Sequence, residues 1–427
     1  MALKQHLPPG ASYELRRTRA ISSDVAFRGG RFERIESADR ASTTLRLQQN
    51  GKLSVATSSK PNSDLELLQQ ALATVPYGSA HDIPFVSEAE VKALQLVDEA
   101  VMDENQKVAL LAQIVAELKE IDARLNVSAG ISASRNKVEL ETSLGFQHSY
   151  EKTVWRCNGS VELVQGEDRL RLGDSITAMG PHFDIKTVKD EVVKLLGYAK
   201  DVVPMESGTY PVIFAPSEVG NVLNPVVASL NGLAVARKVS PFIDKLGQQV
   251  LDPRITLIDD GSIDQQWTSV PFDAEGTPTK KNTLVQNGVL GDLLLDRKTA
   301  AALGKESSGN AGERGAAPHH LQLSTGSKTF MEMVASIPKG VIIYSTMGAW
   351  SGNAYAGVVT GTISMGLKIE NGKIVGRIKD CMFSVNTFQH MLHHFIDTSS
   401  EADLAGTRQG PSLFPYLLLD EVVISTK

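Results

Sequence analysis

Cysteine is scarce in this chain of 427 residues, which has only Cys157 and Cys381, far apart in the sequence. No CxxC pair is present, so the sequence encodes neither a zinc knuckle nor a disulfide framework. Two separate thiols are typical of proteins that stay in the reducing cytosol. No apolar run approaches the roughly 20 residues that span a bilayer, and the first residues lack the apolar core of a signal peptide. We therefore expect a soluble, cytoplasmic protein.

Charge of one sign is not concentrated in any part of the chain. There are 43 lysines and arginines against 49 aspartates and glutamates, which gives a formal charge of −6. Because no basic block stands out, the electrostatic footprint of a nucleic-acid binder is missing. Hydrophobic residues make up 42% of the chain and charged residues 22%, which is typical of a globular protein. The length predicts two or three domains.

The first half alternates strand-like and helical segments. Residues 23–37 and 42–57 are predicted strands, and Asn50-Gly51 within the second run is a typical two-residue hairpin turn. Apolar residues recur at helical spacing in three predicted helices, 64–74, 103–122 and 184–200. Three more strands are expected, over 126–134, 137–143 and 151–165. This half is therefore either α/β or α+β.

From residue 208 onward, strand signals dominate. Asn287-Gly288 and Asn371-Gly372 each lie between strand-like runs and predict two further hairpins. Only residues 216–236 and the segment around His390 have a helical pattern. We therefore predict an α+β protein with two domains, an α/β-type N-terminal domain over 1–204 and a β-rich C-terminal domain over 205–427.

Several sequence phrases follow one another in the second half. In order they are PFDAEGT at 271–277, LVQNGVL at 284–290, AALG at 301–304, SGNAG at 308–312 and, after a glycine-rich stretch at 348–366, IENGKI at 369–374. Each phrase alone is weak, but the ordered set resembles the TldD/PmbA family, historically called modulators of DNA gyrase. The resemblance covers residues 205–425, and the first half agrees only in its general layout.

In the TldD branch of that family, an HExxxH motif lies on a helix directly after a strand such as 210–214. Two imidazoles and a third ligand hold zinc there, and the glutamate acts as general base on the metal-bound water. The matching positions here are Ser217, Glu218 and Val222. A hydroxyl and a valine do not replace imidazole as zinc ligands. We therefore expect no metal and no catalytic residue in this chain, with Glu218 favoured at the helix N-terminus by the helix dipole.

The resemblance implies a PmbA/TldE-like subunit that pairs with a TldD-like catalytic subunit. Zinc is expected in that partner, and the pair would cleave or mature small, unfolded peptides in a chamber formed between subunits. Whether this chain forms homodimers when alone stays open. A binding or scaffold module that grips peptides or a protein, with no peptidase at all, is the alternative from another class.

Two of these phrases, at 271–277 and 308–312, supply candidate substrate-binding residues, namely Asp273, Glu275, Gly309 and Asn310. An acidic turn beside Gly276 and a glycine that needs positive φ would explain the same residues without any ligand. Both interpretations stay open at this stage.

A histidine cluster offers a different metal hypothesis. His390 would share a helical face with His393 or His394, but no nearby ligand is fixed by spacing, and an exposed or interface helix is the alternative. His319-His320 precede a strand, where adjacent side chains face opposite ways and do not easily share a metal. Both cysteines lie in strand-like contexts, in which a buried, inert thiol is the common outcome.

Overall fold

The computed structural model describes residues 3–166, 168–349, 352–407 and 410–426. The chain forms two compact units, one of Met1–Leu195 with Ile263–Pro278, the other of Leu196–Ser262 with Thr279–Lys427. This division differs from the predicted 1–204 and 205–427 in two places. Residues 196–204 join the second unit, where Val203 N donates to Arg377 O at 2.9 Å. Residues 263–278 join the first unit, which the sequence did not predict.

The first unit has an antiparallel sheet with the strand order β4-β3-β2-β1-β5-β6-β7. Its strands are β1 Ala11–Arg28, β2 Arg31–Gln49, β3 Lys52–Ser58, β4 Ser79–Ala80, β5 Asn126–Thr142, β6 Gln147–Gln165 and β7 Asp168–Ala178. Its helices are α1 Asp64–Thr74, α2 Glu104–Ile121 and α3 Ile185–Ala199, the last of which crosses into the second unit. Antiparallel pairing makes this unit α+β.

Each helix of the first unit buries one apolar stripe. Leu67 and Leu68 of α1 pack with Leu15, Leu45 and Leu47 of the sheet. α2 packs against β5 and β1, and Asp103 begins it with a capping box that includes Gln106, a motif that satisfies two free backbone donors. The predicted ranges of all three helices are confirmed to within a residue or so.

The predicted strands of the first unit need three corrections. The run 23–37 is broken by a turn at Gly29-Gly30, where both residues have positive φ, so β1 and β2 form a long hairpin. The runs 126–134 and 137–143 are one strand, β5, and a further strand, β7, follows β6. The Asn50-Gly51 turn is confirmed, since Gln49 pairs with Lys52 across it.

The second unit is rich in strands. They are β8 Gly208–Phe214, β9 Leu257–Asp260, β10 Lys281–Gln286, β11 Val289–Leu290, β12 Ala311–Gly312, β13 Gly315–Ala316, β14 Leu321–Leu323, β15 Lys339–Met347, β16 Val358–Glu370, β17 Lys373–Ile378, β18 Cys381–Asn386, β19 Phe395–Thr407 and β20 Gly410–Thr426. The helices are α4 Pro216–Leu230, α5 Gly232–Ala236, α6 Arg297–Ala302, α7 Phe330–Ala335 and α8 Thr387–His393.

The main sheet of the second unit runs β11-β10-β9-β14-β20-β18-β16-β15-β8, and β8 also pairs with β20. The pairing therefore closes into a ring of β20, β18, β16, β15 and β8. β8 is parallel to β15 and antiparallel to β20, a long-range arrangement that periodicity does not reveal. The Asn287-Gly288 and Asn371-Gly372 hairpins are confirmed, each with both residues at positive φ.

Helices in the second unit are more numerous than predicted. The predicted helix 216–236 ends at Leu230, because Asn231 takes an extended backbone and accepts from Leu233 N at 2.9 Å to start α5. α6 and α7 were missed, although each begins with a capping box, Asp296 with Thr299 and Thr329 with Glu332. Among the residues that the structure describes, no helix is long and apolar enough to cross a membrane. The predicted α+β class with two domains is confirmed.

Candidate functional site

Helix α4 carries the three positions that correspond to the zinc motif. It starts directly after β8, as the resemblance implies, with Ala215 extended and Pro216 at the first helical position, where a missing N–H costs nothing. The helix packs against β20, β19 and β15, and Val219, Leu223 and Val226 are fully buried. This helix is therefore fixed within the core of the second unit.

Ser217 and Val222 lie in different surroundings. Ser217 is exposed, and its Oγ donates to Tyr344 O at 3.2 Å. The Val222 side chain is fully buried, and Thr387 Oγ1 donates to the Val222 carbonyl at 2.6 Å. The first position therefore presents an exposed hydroxyl, and the second a buried apolar side chain.

Glu218 is buried, and both oxygens of its carboxylate accept hydrogen bonds. Its carboxylate accepts from Thr346 N at 3.0 Å on one oxygen, and from Thr346 Oγ1 at 2.7 Å and Asn221 Nδ2 at 2.9 Å on the other. Burial raises the pKa of the Glu218 carboxyl above its ordinary value, and the hydrogen bonds from Asn221 and Thr346 lower it only in part. The side chain thus ties α4 to β15, a role beyond the helix-dipole effect that the sequence predicted.

These residues do not fit a zinc ion. Zinc sites are built from imidazole, thiolate or carboxylate ligands held in a tetrahedral arrangement. Here the first position offers an exposed hydroxyl, the second a buried methyl pair, and the carboxylate between them already accepts three hydrogen bonds. We therefore assign no metal chemistry to α4.

The histidine cluster is on and after α8. His390 Nδ1 is 2.8 Å from Asn386 O, and its Nε2 is 3.3 Å from Glu421 O, so both ring nitrogens face carbonyl oxygens. The His394 ring is 5.2 Å from that of His390, and its Nδ1 lies 3.4 Å from a Glu421 carboxylate oxygen, while His393 is exposed. In the part of the chain that the structure describes, no three His, Cys, Asp or Glu side chains are grouped to hold a metal.

The acidic phrase at 271–277 forms a tight turn in the first unit. The Asp273 carboxylate accepts from the backbone N–H groups of Glu275 and Thr277, each at 2.9 Å. Gly276 has φ +79°, and a Cβ there would lie 2.7 Å from Val86 Cγ1. Since Phe272 packs edge-on against Phe146 at 5.5 Å, the phrase attaches this segment to the sheet of the first unit.

Glu275 belongs to a partly buried charge cluster. Arg46 NH1 lies 2.9 Å from Glu14 Oε1, and its NH2 lies 3.9 Å from Glu275 Oε1. Glu14 is only 3% exposed, and burial raises the pKa of its carboxyl although Arg46 lowers it. The guanidinium carbon of Arg46 is also 5.5 Å from the centre of the Phe85 ring.

Gly309 and Asn310 form part of a buried polar network in the second unit. Asn310 is fully buried; its Nδ2 donates to Asp259 Oδ2 at 2.6 Å, and its Oδ1 accepts from Asn282 Nδ2 at 3.1 Å and Ser308 Oγ at 2.7 Å. Gly309 has φ +75°, a backbone region that glycine enters without strain. These contacts hold the SGNAG loop against β9 and β10.

Asp259 was not singled out from the sequence, although it organises this network. It is fully buried at the end of β9, and its Oδ1 accepts from the backbone N–H groups of His319 and His320 at 2.8 and 2.7 Å. Burial lowers the pKa of His320, and the nearby Asp259 and Asp260 charges raise it only in part. An Asp-Asp pair at the end of a short strand is the sole sequence signal for this role.

A cavity of about 550 Å³ opens beside the same loop. Its lining includes Lys280, Asn282, Asp292, Lys305 and Ser308. Glu306 also lines it, so the wall combines two lysines and two carboxylates with amide and hydroxyl groups.

Both cysteines are buried, as predicted. Burial raises the pKa of the Cys157 thiol to about 12. The pKa of Cys381 is also raised, by burial and by the Asp380 charge, and its Sγ donates to Lys379 O at 3.0 Å. A thiol nucleophile is a thiolate, so neither cysteine is placed for that role.

Several proteins similar to this chain are named metalloproteases. The PmbA/TldA metallopeptidase C-terminal domain family matches residues 207–426, slightly more than half of the chain. Metalloprotease PmbA of Escherichia coli O157:H7 is 26% identical over 96% of this chain and 91% of its own length. The metalloprotease TldD homologue of Haemophilus influenzae is 25% identical over 79% of this chain and 72% of its own length. The chain belongs to the TldD/PmbA family, which confirms the resemblance drawn from the sequence phrases.

Solved structures share the fold over nearly the whole chain. TldE from Thermococcus kodakarensis matches with a TM-score of 0.88 at 20% identity, covering 97% of this chain and 96% of its own. A putative modulator of a DNA gyrase from Thermotoga maritima matches with a TM-score of 0.87 at 19% identity, covering 99% and 97%. At these identities the likeness defines the fold and not the activity.

Proposed function

We propose that this chain is the non-catalytic, PmbA/TldE-like subunit of a metallopeptidase that cleaves or matures small, unfolded peptides. A TldD-like partner would hold the zinc and break the bond, and this chain would form part of the peptide chamber. The observation that carries the proposal concerns α4. Ser217 and Val222 lie at the positions of the two histidines, and the Glu218 carboxylate accepts hydrogen bonds from Thr346 and Asn221.

The role of Glu218 separates this proposal from that of an active peptidase. A general base must reach the water or group whose proton it takes. Glu218 is only 7% exposed, and its carboxylate accepts three hydrogen bonds from its own unit. It is therefore a structural carboxylate that keeps α4 aligned with β15, and family membership without a competent motif favours the partner-subunit role.

The proposal is tested by reconstitution with a TldD-like chain from the same source that carries an intact HExxxH motif. We expect the two chains to co-elute, and an unfolded peptide to be cleaved by the mixture far faster than by this chain alone. Changing a motif histidine of the partner to alanine serves as the control and should abolish cleavage. Adding a metal chelator to this chain alone should not change its rate of peptide cleavage.

Two outcomes would contradict the proposal. Cleavage by this chain alone that is lost on changing His390, His393 and His394 to alanine would make it a stand-alone hydrolase. Failure to associate with any TldD-like chain, together with retained peptide binding, would make it a binding module without a peptidase.

A further inference from the structure

The cavity beside the SGNAG loop has a size and a wall suited to a small ligand. Its volume of about 550 Å³ lies within the range of about 300–1,000 Å³ that is usual for ligand pockets. The wall consists of the start of β10, the segment that follows β11 and the segment that follows α6, all of which belong to the second unit. Two buried leucines, Leu293 and Leu295, add an apolar surface.

The cavity is separate from the degenerate zinc motif. Leu294, between the two lining leucines, donates its N–H to Leu230 O at 3.0 Å. Leu230 is the last residue of α4, whereas Glu218 is in the first turn of that helix. At a rise of 1.5 Å per residue, the two positions are about 18 Å apart along the helix axis. The cavity therefore lies near the end of α4 that is far from the motif.

Asn282 is a buried wall residue with an unused acceptor. It is only 2% exposed, and its Nδ2 donates to Ser308 O at 3.0 Å and to Asn310 Oδ1 at 3.1 Å. Both hydrogens of the amide are thus engaged by the protein. Among the described residues, no group donates to Asn282 Oδ1. Because buried polar atoms are ordinarily hydrogen-bonded, this oxygen offers an acceptor to a ligand that carries N–H or O–H groups.

The polar network behind Asn282 holds the wall in place. Ser308 Oγ accepts from Leu295 N at 2.8 Å, which joins the segment after α6 to the segment after β11. Asn310 is bound in turn to Asp259 of β9. A wall that is fixed before the ligand arrives loses little conformational entropy on binding. The network therefore prepares Asn282 for a ligand as well as stabilising the loop.

Four charged side chains line the cavity, two of each sign. Lys280 and Lys305 are positive, and Asp292 and Glu306 are negative. Among the described residues, none of the four forms an ion pair, and the Asp292 carboxylate accepts only from Thr283 N at 3.0 Å. A bare anion would be repelled by the carboxylates, and a bare cation by the lysines. A ligand that carries both an ammonium and a carboxylate group is attracted by charges of both signs.

We propose that this cavity binds a small zwitterion, either a free α-amino acid or a short peptide with free ends. Its ammonium group is held by Asn282 Oδ1 and the Asp292 carboxylate, and its carboxylate group by Lys280 and Lys305. An apolar side chain of the ligand packs against the two leucines of the wall. The site binds its ligand without cleaving it, and it does not depend on the proposed peptidase role.

Calorimetric titration of the isolated chain tests the class of ligand. The probes are free leucine and dileucine, each compared with its N-acetyl form and its amide form. We expect saturable binding of at least one unblocked probe, weakened about tenfold when either end is blocked. Binding of leucine alone would identify a free amino acid as the ligand, and binding of dileucine alone a short peptide.

Substitutions in the wall test which group holds which end. Lys280→Ala should weaken binding of the unblocked probe about tenfold and leave that of its amide form unchanged, since the amide has no carboxylate. Asp292→Asn should have the same effect on the unblocked probe but none on the N-acetyl form, and asparagine keeps an acceptor for Thr283 N. The matched controls are Lys281→Ala and Glu313→Gln, which change exposed residues outside the wall.

Three results would overturn the proposal. The first is the absence of saturable binding by both unblocked probes, and the second is equal binding of blocked and unblocked forms. The third is a loss of affinity in the control variants as large as that in the wall variants. Because all four changed side chains are exposed, the variants should keep the melting temperature of the wild type. No cleavage is measured, so failure here would leave the proposed peptidase role untouched.

Discussion

Replacing Glu218 by glutamine separates a structural carboxylate from a catalytic one. The carboxylate offers two acceptor oxygens to three donors, namely Thr346 N, Thr346 Oγ1 and Asn221 Nδ2. A glutamine has the same shape but turns an NH2 group toward at least one of those donors. An orphaned buried donor costs about 1–3 kcal/mol. We therefore expect Glu218→Gln to lower the free energy of unfolding by about 1–3 kcal/mol at neutral pH, from the loss of one bond.

The pH dependence of that loss follows from the raised pKa of Glu218. A carboxyl whose folded pKa exceeds its unfolded value, about 4.3, contributes stability below the unfolded pKa and loses it as pH rises through the folded pKa. Glutamine does not titrate. The difference in the free energy of unfolding between the wild type and Glu218→Gln should therefore be largest near pH 4 and smaller near pH 8. Urea unfolding at both pH values measures it.

Thr346→Val is the matched structural control, because it removes only the Oγ1 donor and keeps the shape of the side chain. It should cost about 1–2 kcal/mol, and the two changes should be coupled, since they remove the same contact. In the complex with a TldD-like partner, Glu218→Gln should change peptide cleavage by less than about threefold. Loss of a general base costs about a hundredfold or more, and a drop of that size in a folded complex would refute the structural role of Glu218.

Three further predictions concern buried groups. Asn310→Ala should lower the free energy of unfolding by at least about 3 kcal/mol in urea, because Asp259 and two buried donors lose their partner; a loss below about 1 kcal/mol would contradict the network. Glu14→Gln should flatten the dependence of thermal stability on pH. The raised pKa of Glu14 makes the wild type lose stability as pH rises from about 4, and glutamine does not titrate. Parallel profiles for the wild type and the variant would contradict this prediction. Cys157 and Cys381 should react with a thiol reagent only after denaturation, and rapid labelling of the native chain would show that the thiols are accessible.

Local signals in the sequence predicted much of the secondary structure. The three Asn-Gly turns were predictable because only a few residue types tolerate the positive φ that a two-residue hairpin needs. The helix over 103–122 was predictable from its apolar stripe and from Asp103 at its start. Gly29-Gly30 carried the same kind of turn signal but was passed over, because strand-like residues surround it on both sides.

Other features depend on contacts between residues that are distant in the sequence. The ring in which β8 pairs with both β15 and β20 joins segments more than a hundred residues apart, and periodicity carries no information on such pairings. For the same reason, the attachment of 263–278 to the first unit was not predicted. The six-residue helices α6 and α7 are too short for an apolar stripe, and their capping residues were the sole signal.

The candidate site was predicted in part. The resemblance implied that the motif positions lie on a helix directly after a strand, and α4 does follow β8. The hydrogen bonds that bury Glu218 against Thr346 depend on β15, more than a hundred residues away. Asp273 is held by hydrogen bonds within its own turn, and Asn310 by a hydrogen bond to Asp259 of β9. A structural role therefore accounts for the contacts that both side chains make. Asp259 was missed because a buried aspartate leaves little mark in a single sequence.

Zinc content tests the central claim most directly. The isolated chain and its complex with a TldD-like partner should be purified without chelators and measured for metal by mass spectrometry. The account predicts no stoichiometric zinc in the isolated chain and zinc in the complex that is lost when the partner's motif histidines are replaced. Stoichiometric zinc in the isolated chain, with peptide cleavage that depends on it, would contradict the account.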